Sequence, residues 1–565
     1  MHSLCVDPTV AEGAQLPRIR PQDQSAEMIH LTGTDGSARS HSGRNTGDPV
    51  QLCVGEWGRW QWRNAVLLSL LKMPVAWFQL SILVLEAPSP FWCAGHPPTQ
   101  ESYDACVVPR NSSTWNDSSS LEPCSSWEYA PEIFKSTIVT EWDLVCSRKH
   151  LADVTQFTFM LGVLLGTVVA GAAADRWGRK KPLMFCIGLQ VLASTAAALA
   201  PWLPLFILCR FILATATGGI LVIGFVLAME ISGDRHRTTV SVLYQLPFTV
   251  GLCIMAAAAY MLRDWRHFHL SLSALSALFL SYAWLVPESP RWLLAVGRRE
   301  SAVRVLSRGA ELNRLDAAAV RERLPAVIQQ PEEQPRPGIT ALFRSASLRR
   351  RMCVLCQAWF VSGLTFFSFT QSLDRMGSNI FFNITMAGVV GIPGTILCLF
   401  VIRLGRKRSV MIGQIILIMC CLLITAFPKG SYAYDWPRLS LSGVAITSMA
   451  VSFTTVYLYS GELLPTVVRN AGLGFAAMFS RLGSAIAPFV KSMDAYWVHL
   501  PMLIIGCAAL ITTVGISFLP ETKGQPLLDT FEEDDRRNKE EVGDQKSYTY
   551  KKVNQQDQKT VTSNC

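Results

Sequence analysis

The chain has 565 residues, of which half are apolar and only 16% are charged, and its mean hydropathy is +0.27. This composition excludes an ordinary soluble enzyme and indicates a protein that crosses a membrane many times. The net charge of +9 does not indicate nucleic-acid binding, because the basic residues cluster between apolar runs instead of forming a stripe with aromatic residues on a soluble domain.

The predicted elements are helices, since a helix satisfies its own backbone hydrogen bonds in lipid and needs about 20 apolar residues to cross. Twelve such stretches are predicted, at residues 65–86, 152–174, 182–201, 203–229, 240–262, 268–287, 352–373, 379–402, 409–427, 438–458, 467–490 and 497–519. We therefore predict an all-α membrane protein with two halves of six helices, residues 54–287 and 352–519.

The segments outside the spans predict the orientation. Residues 288–351 hold 13 Lys and Arg against 7 Asp and Glu, whereas the loop 87–151 holds 4 against 8. Since basic loops stay in the cytosol, the first segment is predicted to be a cytoplasmic loop with short helices and the second to be extracellular. Residues 1–53 then form a polar cytosolic extension without a secretory signal, and residues 520–565 a disordered cytosolic tail.

The first loop, 87–151, carries four cysteines and two glycosylation sequons, at Asn111 and Asn116. Because the extracellular side is an oxidising environment, two disulfides are predicted. Four cysteines allow three pairings, and the sequence does not choose among them. Zinc is the alternative, but no close CxxC pair is present, and no metal or other cofactor is expected. The candidate cysteines are Cys93, Cys106, Cys124 and Cys146.

The second span ends in GAAADRWGRK at residues 171–180, where glycines permit a tight turn and charged groups can hold it to a neighbouring helix. The motif residues are Gly171, Asp175, Arg176, Gly178, Arg179 and Lys180. This pattern resembles the signature loop between helices 2 and 3 of the major facilitator superfamily. A weaker copy, RLGRKR, follows in the second half with Arg403, Gly405 and Arg406. Such a repeat is typical of carriers built from two similar halves.

Two acids at the predicted cytoplasmic ends of spans 4 and 10, Glu230 and Glu462, lie in sequence near Arg235 and Arg469. We expect them to form gating ion pairs with the two motif loops, which break as the halves rock. In the second half Ile402 occupies the place of the motif acid, so the second latch is expected to be weaker.

Two cations fall inside predicted spans, where an ionisable side chain is a functional candidate. Arg481 lies in the middle of span 11, and its planar guanidinium could bind a substrate carboxylate with two hydrogen bonds; the alternative is a structural ion pair. Lys72 in span 1 either lines the cavity or extends toward an interface. Further candidates for lining the cavity are Gln79, Tyr244, Gln245, Gln357, Trp359, Phe360, Phe366 and Phe367, with Trp77 and Phe78 as additional aromatic faces.

Several motifs resemble the organic cation, carnitine and organic anion carriers of solute carrier family 22. They are GEWGRWQ before span 1, STIVTEWDLVC at 136–146, RDWR at 263–266, PESPRWLLAVGR at 287–298, YSGELLPTVVRNAGLG at 459–474 and PETKGQPL at 520–527. The resemblance covers about residues 54–530. YQLPFTVG at 244–251 resembles the organic cation transporter-like branch of this family.

The resemblance implies a plasma-membrane carrier of small organic ions, with lipid and solute as its partners. RLGS at Arg481 is similar to the anion and carnitine carriers, and Gly391 stands where the cation and carnitine carriers have a glutamate. These features favour a carboxylate-bearing or zwitterionic solute such as carnitine or β-alanine, and leave a purely anionic solute open. The alternatives are an organic cation transporter, a sugar porter and a transport-inactive surface receptor. No enzyme motif is present in the sequence, and the coupling ion cannot be read from it.

Overall fold

The structure is a computed structural model that describes residues 49–87, 89–95, 106–109, 121–130, 133–327, 342–343, 345–372, 379–427, 432, 435–465 and 468–525. Both sequon asparagines, most of the N-terminal extension and the tail beyond residue 525 lie outside the described residues. What the sequence predicts for them therefore stays a prediction.

Within the described ranges, twelve helices are long and apolar enough to cross a membrane, which confirms the predicted all-α architecture. In chain order, spans 1 to 12 are Arg59–Leu85, Cys146–Trp177, Lys180–Ala198, Leu203–Ile231, His236–Met261, Trp265–Leu285, Ala346–Gln371, Ile380–Leu404, Arg406–Ala426, Trp436–Leu463, Ala471–Ala495 and Leu500–Ser517.

Several helices are longer than the apolar stretches that predict them. Span 1 begins at Arg59 instead of residue 65, and span 10 ends at Leu463 instead of residue 458. Hydropathy marks only the part of a helix that suits hydrocarbon, whereas the backbone hydrogen bonds continue through a polar end. The extra turns place charged side chains such as Glu462 on helices instead of on loops.

Spans 1 and 5 are interrupted near their middles. Span 1 consists of helices Arg59–Leu70, Lys72–Leu80 and Ile82–Leu85, and span 5 contains helices Asp234–Leu243 and Leu246–Met261. Pro247, which has no N–H to donate, follows the break in span 5. Interrupted membrane helices are tolerated where the irregular backbone is buried in protein or lines a cavity, so all three breaks mark places of interest.

Each half packs through close helix pairs, span 2 along span 4 and span 7 along span 11. At Gly166 a methyl group would overlap the carbonyl oxygen of Thr215 on span 4, and at Gly483 one would overlap the carbonyl of Phe360 on span 7. Only glycine permits backbones to approach this closely. The halves meet along spans 2 and 11 and along spans 5 and 8.

We call the end of the bundle that carries the loop between spans 1 and 2 the outer end, and the opposite end the inner end. At the inner end lie four short helices, Pro49–Val54, Pro290–Ala295, Arg299–Leu312 and Ala317–Val327. Asn313 joins them to span 1: its side chain accepts a hydrogen bond from the N–H of Trp60 (2.8 Å) and donates to the carbonyl of Val54 and to Oε1 of Gln61 (both 2.8 Å).

The outer loop contains two antiparallel strand pairs, Phe91–Cys93 with Trp127–Tyr129 and Val107–Pro109 with Leu121–Pro123. Its four cysteines form two disulfides, Cys93–Cys124 and Cys106–Cys146, which selects one of the three pairings that the sequence allows. All four sulfurs are thereby used, so the zinc alternative for these cysteines is wrong. Helix Ile138–Glu141 of the loop is held to span 6 by an ion pair between Glu141 and Arg266.

Candidate functional site

Two cations, one from each half, lie at the middle of the bundle. Lys72 begins the second segment of span 1 and is only 8% exposed, and Arg481 is half-buried at the middle of span 11. Their charges are close enough to repel each other. Within the described residues, no hydrogen bond or carboxylate partner accompanies either cation. Because a charge away from water is costly unless it is paired, this arrangement favours an anionic group between the halves.

Aromatic side chains form a continuous wall that runs from Lys72 into the second half. The Lys72 ammonium lies 5.2 Å from the ring centroid of Tyr244, next to the break in span 5. The Tyr244 ring contacts Phe225 of span 4 (5.4 Å), which contacts Tyr457 of span 10 (5.0 Å) across the two halves. Tyr457 in turn packs edge-on against Trp359 of span 7 at 5.5 Å. Such faces attract cations while excluding water.

Trp359 is fixed by a hydrogen bond from its indole N–H to the hydroxyl oxygen of Ser460 (3.0 Å). Phe366 pairs with Phe248 of span 5 (6.1 Å) and with Phe367 (5.3 Å), so these rings also lie where the halves meet. Phe225 and Tyr457 were not among the residues that the sequence singled out. Their signal is only that aromatic residues occur near the inner ends of spans 4 and 10, which is too common a feature to select them.

The structure places other predicted residues differently. Gln357 faces Gly515 of span 12, and Trp77 donates its indole N–H to the hydroxyl oxygen of Ser276 on span 6 (3.3 Å). Both side chains therefore pack within their own half.

Of the remaining candidates, Gln79 is buried on span 1, Gln245 is half-buried at the break in span 5, and Phe78 lies against the ring of His269. Phe360 lies where spans 7 and 11 approach each other closely.

The first motif loop forms a charged latch at the inner end. Gly178 has a φ of +96°, which turns the chain between spans 2 and 3 and favours glycine. Arg179 then donates to both carboxylate oxygens of Glu230 on span 4 (Nε 3.2 Å to each, Nη2 2.9 Å) and to Oδ1 of Asp175 (2.7 Å). Burial alone would lower the pKa of Arg179, but these carboxylates outweigh it and raise the pKa above its usual value.

The second motif loop repeats this geometry. Gly405 has a φ of +132°, and Arg406 donates through Nε to both carboxylate oxygens of Glu462 on span 10, at 3.0 and 3.1 Å. In place of an acid, the carbonyl of Ile402 accepts from Nη1 of Arg406 at a long 3.4 Å. Among the described residues, the Arg406 side chain therefore has one carboxylate partner, whereas that of Arg179 has two.

Each latch includes a further carboxylate, bound to the backbone of the motif loop, that the sequence analysis did not assign. Glu288 accepts from the backbone N–H groups of Arg179 (2.7 Å) and Lys180 (3.1 Å), and Glu521 accepts from the N–H of Arg406 (2.7 Å). Burial opposes ionisation of Glu521, but several backbone N–H donors hold its pKa below the usual value. The signal was present in the sequence as the matching PESP and PETK segments after spans 6 and 12.

The other predicted motif residues take lesser positions. Arg176 lies over the ring of Trp177 (6.0 Å) and Arg403 over that of Phe400 (5.6 Å), while Gly171 has open space beside it. Arg469 donates to the carbonyl of Leu464 at 3.3 Å. The side chain of Arg235 lies outside what the structure describes.

At the outer end the two halves are in contact. Ser492 of span 11 donates to Oδ2 of Asp153 on span 2 (2.6 Å), and Phe489 packs edge-on against Phe157 at 5.5 Å. Phe381 at the start of span 8 contacts both Tyr260 of span 5 and Phe134 of the outer loop. The structure thus holds spans 2 and 11 together on the outer side of the cation pair.

Comparisons with known proteins agree with this architecture. A family model described as "Sugar (and other) transporter" matches residues 121–533. The chain is 31% identical to the organic cation transporter protein of Drosophila melanogaster, over 86% of this chain and 94% of that protein. It is 33% identical to solute carrier family 22 member 12 of Rattus norvegicus, over 76% and 78%. It is also 34% identical to member 16 of Homo sapiens, over 73% and 72%.

Solved structures show the same fold. A proton:xylose symporter of the major facilitator superfamily, bound to 6-bromo-6-deoxy-D-glucose, superposes with a TM-score of 0.60, covering 83% of this chain and 98% of that one at 18% identity. An inward-open xylose transporter from E. coli gives a TM-score of 0.59 at 17% identity, covering 83% and 97%.

The twelve helices in two halves and the paired motif loops define a membrane transporter with the fold of the major facilitator superfamily. Together with these relatives, they show that the chain belongs to solute carrier family 22 and is an organic cation transporter-like member of it. The protein is thus a multi-pass membrane transporter of organic ions and not an enzyme.

Proposed function

We propose that this transporter carries a small solute that bears a carboxylate, with Arg481 and Lys72 as its anchors. The supporting observation is the pair of repelling cations at the middle of the bundle, one on each half. A carboxylate between them removes the repulsion and accepts hydrogen bonds from both side chains. Because the two cations belong to opposite halves, the solute also favours a conformation in which both halves close around it.

Zwitterions such as carnitine or β-alanine fit this proposal better than simple anions. Gly391 of span 8 lies against Thr249 of span 5, at a position where a side chain would already be crowded. No carboxylate is therefore supplied there for a substrate ammonium. The positive end would instead meet the rings of Tyr244, Phe225 and Tyr457, which contribute about 0.5 to 2 kcal/mol through cation–π attraction.

In this mechanism the two latches hold the inner ends of the helices in each half. Rocking of the halves opens the central site to one side and then to the other, and the contacts between spans 2 and 11 close its outer side in the conformation seen here. We propose that both termini are cytoplasmic, which the charge asymmetry of the loops supports. We propose the plasma membrane as the location, and the two disulfides of the outer loop suit an extracellular face.

The test is uptake of labelled carnitine, β-alanine, p-aminohippurate, tetraethylammonium and glucose by cells that express the protein, with and without a sodium gradient. Arg481→Gln is expected to lower the ratio of Vmax to KM for carboxylate solutes by about 10-fold or more, because a charge-assisted contact is lost. Lys72→Gln is expected to have a smaller effect in the same direction. Arg349→Gln, which removes an exposed cation at the start of span 7, is the matched control.

Unchanged carboxylate uptake in the Arg481 variant, at equal surface expression, would refute the proposed site. Preferred uptake of tetraethylammonium or glucose would replace the proposal with an organic cation transporter or a sugar porter. Binding of a solute without flux in proteoliposomes would indicate the receptor alternative.

A further inference from the structure

A second buried cation lies in the first half, near the outer end of span 4. Arg210 is 0% exposed and is the eighth residue of helix Leu203–Ile231. Its guanidinium donates to Oγ of Ser81 on span 1 and to Oε1 of Gln156 on span 2, both at 3.3 Å. These are long bonds to neutral oxygens, and the Nε atom has no hydrogen-bond partner in the part of the chain that the structure describes.

His269 of span 6 lies beside this guanidinium. It is also 0% exposed, and neither ring nitrogen has a hydrogen-bond partner among the described residues. A charge on His269 would be repelled by Arg210, so the two side chains lie within electrostatic range. Leaving buried donors unsatisfied costs about 1 to 3 kcal/mol for each group, which makes an empty cluster of this kind unfavourable.

Span 1 brings the two groups together. Phe78 packs against the imidazole ring (5.7 Å between centroids), and Ser81, three residues later, accepts from Arg210. Ser81 lies between two helical segments of span 1 but keeps α-helical backbone angles (φ −54°, ψ −25°). Because residues three apart lie on the same face of a helix, Arg210 and His269 contact neighbouring turns of one face of span 1.

The surroundings restrict what can bind. Phenyl rings of Phe159 and Phe206 lie 4.7 and 5.7 Å from the guanidinium carbon. Of the three guanidinium nitrogens, Nε is the one without a hydrogen-bond partner among the described residues. Glu86 attracts Arg210 from a distance but shares no hydrogen bond with it. Because both side chains are 0% exposed, a ligand must be small, and it must accept hydrogen bonds and carry little charge.

We propose that Arg210 and His269 bind a monovalent inorganic anion, with chloride as the physiological ligand. The ion accepts from Nε–H of Arg210 and from the single N–H of a neutral His269, so Nε and one of the two ring nitrogens gain a partner. This site is separate from the pair of Lys72 and Arg481, and it does not depend on the solute that the transporter carries.

The experiment measures the thermal unfolding midpoint of the purified full-length protein at constant ionic strength while sodium gluconate is replaced by sodium chloride. The wild type is expected to be stabilised with saturation, since a ligand that binds only the folded state raises its stability. His269→Phe keeps the packing against Phe78 and removes both nitrogens, and it should need about 10-fold more chloride or show no response. His269→Gln keeps one N–H donor and should retain most of the response.

A double variant, Lys72→Gln with Arg481→Gln, separates this site from the central one. It should keep the chloride response, and bromide in a crystal of the wild type should give anomalous signal beside Arg210. Three results would overturn the inference: no saturable stabilisation of the wild type by chloride, an equal response in wild type and His269→Phe, or loss of the response in the double variant.

Discussion

The two latches make a quantitative prediction about the free energy that couples each arginine to its acid. Arg179 and Glu230 are joined by three contacts of 2.9 to 3.2 Å, and their side chains are only 11% and 18% exposed. A fork-shaped pair with so little solvent around it is expected to have a coupling free energy of about 1 to 3 kcal/mol. An exposed pair would give about 0.2 to 1 kcal/mol.

The assay is a double-mutant cycle with Arg179→Gln, Glu230→Gln and both together, in which the free energy of unfolding is measured in detergent at neutral pH. The same cycle is then made for Arg406 and Glu462. The first coupling should be the larger, because the Arg179 side chain is 11% exposed whereas that of Arg406 is 22% exposed, so water screens the second ion pair more. A coupling below about 0.3 kcal/mol for the first pair would refute the view that these contacts hold the inner ends.

Three further outcomes follow from the packing, the disulfides and the backbone of the second latch. Gly166→Ala should destabilise the protein by about 1 to 3 kcal/mol or more and abolish surface expression, while Gly171→Ala, with open space beside it, should express normally. Cys93→Ser should lower the free energy of unfolding by about 2 to 5 kcal/mol, measured as a lower thermal midpoint. A reducing agent should then lower the midpoint of this variant by less than it lowers that of the wild type. The pKa of Glu521 lies below its ordinary value of 4.5, so its contribution to the free energy of unfolding is complete above pH 4.5 and is lost as the pH falls through the lowered pKa. Glu521→Gln should remove this part of the loss of stability in acid.

Much of the architecture could be predicted because a run of apolar residues indicates a membrane helix and a glycine in a motif loop indicates a tight turn. Twelve apolar runs identify twelve helices, and the glycines of the motif loops adopt the positive φ values that such turns require. Arg179, Glu230, Arg406 and Glu462 could be assigned to latches, because the motif loop occurs at corresponding places in the two halves and an acid ends span 4 and span 10 in the same way.

The residues that line the interior were harder to predict, because the direction in which a side chain of an apolar helix points depends on the helices packed around it. Gln357 and Trp77 resemble cavity residues in the sequence, but they turn toward spans of their own half. The breaks at Leu71 and Tyr244 were also missed, although Pro74 and Pro247 follow each of them by three residues. Membrane helices often tolerate proline, so its presence alone does not predict an interruption. The contact between Phe225 and Tyr457 joins residues more than 200 positions apart, and one sequence carries no record of it.

The three hydrogen bonds of Asn313 have a mechanical consequence for the segment between the halves. They clamp the end of helix Arg299–Leu312 to the base of span 1, the helix that carries Lys72. The inner helices are therefore expected to move together with the first half during each cycle, and not to form a flexible connection between the halves. A modification or a partner that breaks the Asn313 hydrogen bonds would then shift span 1, which carries Lys72, and not span 11, which carries Arg481.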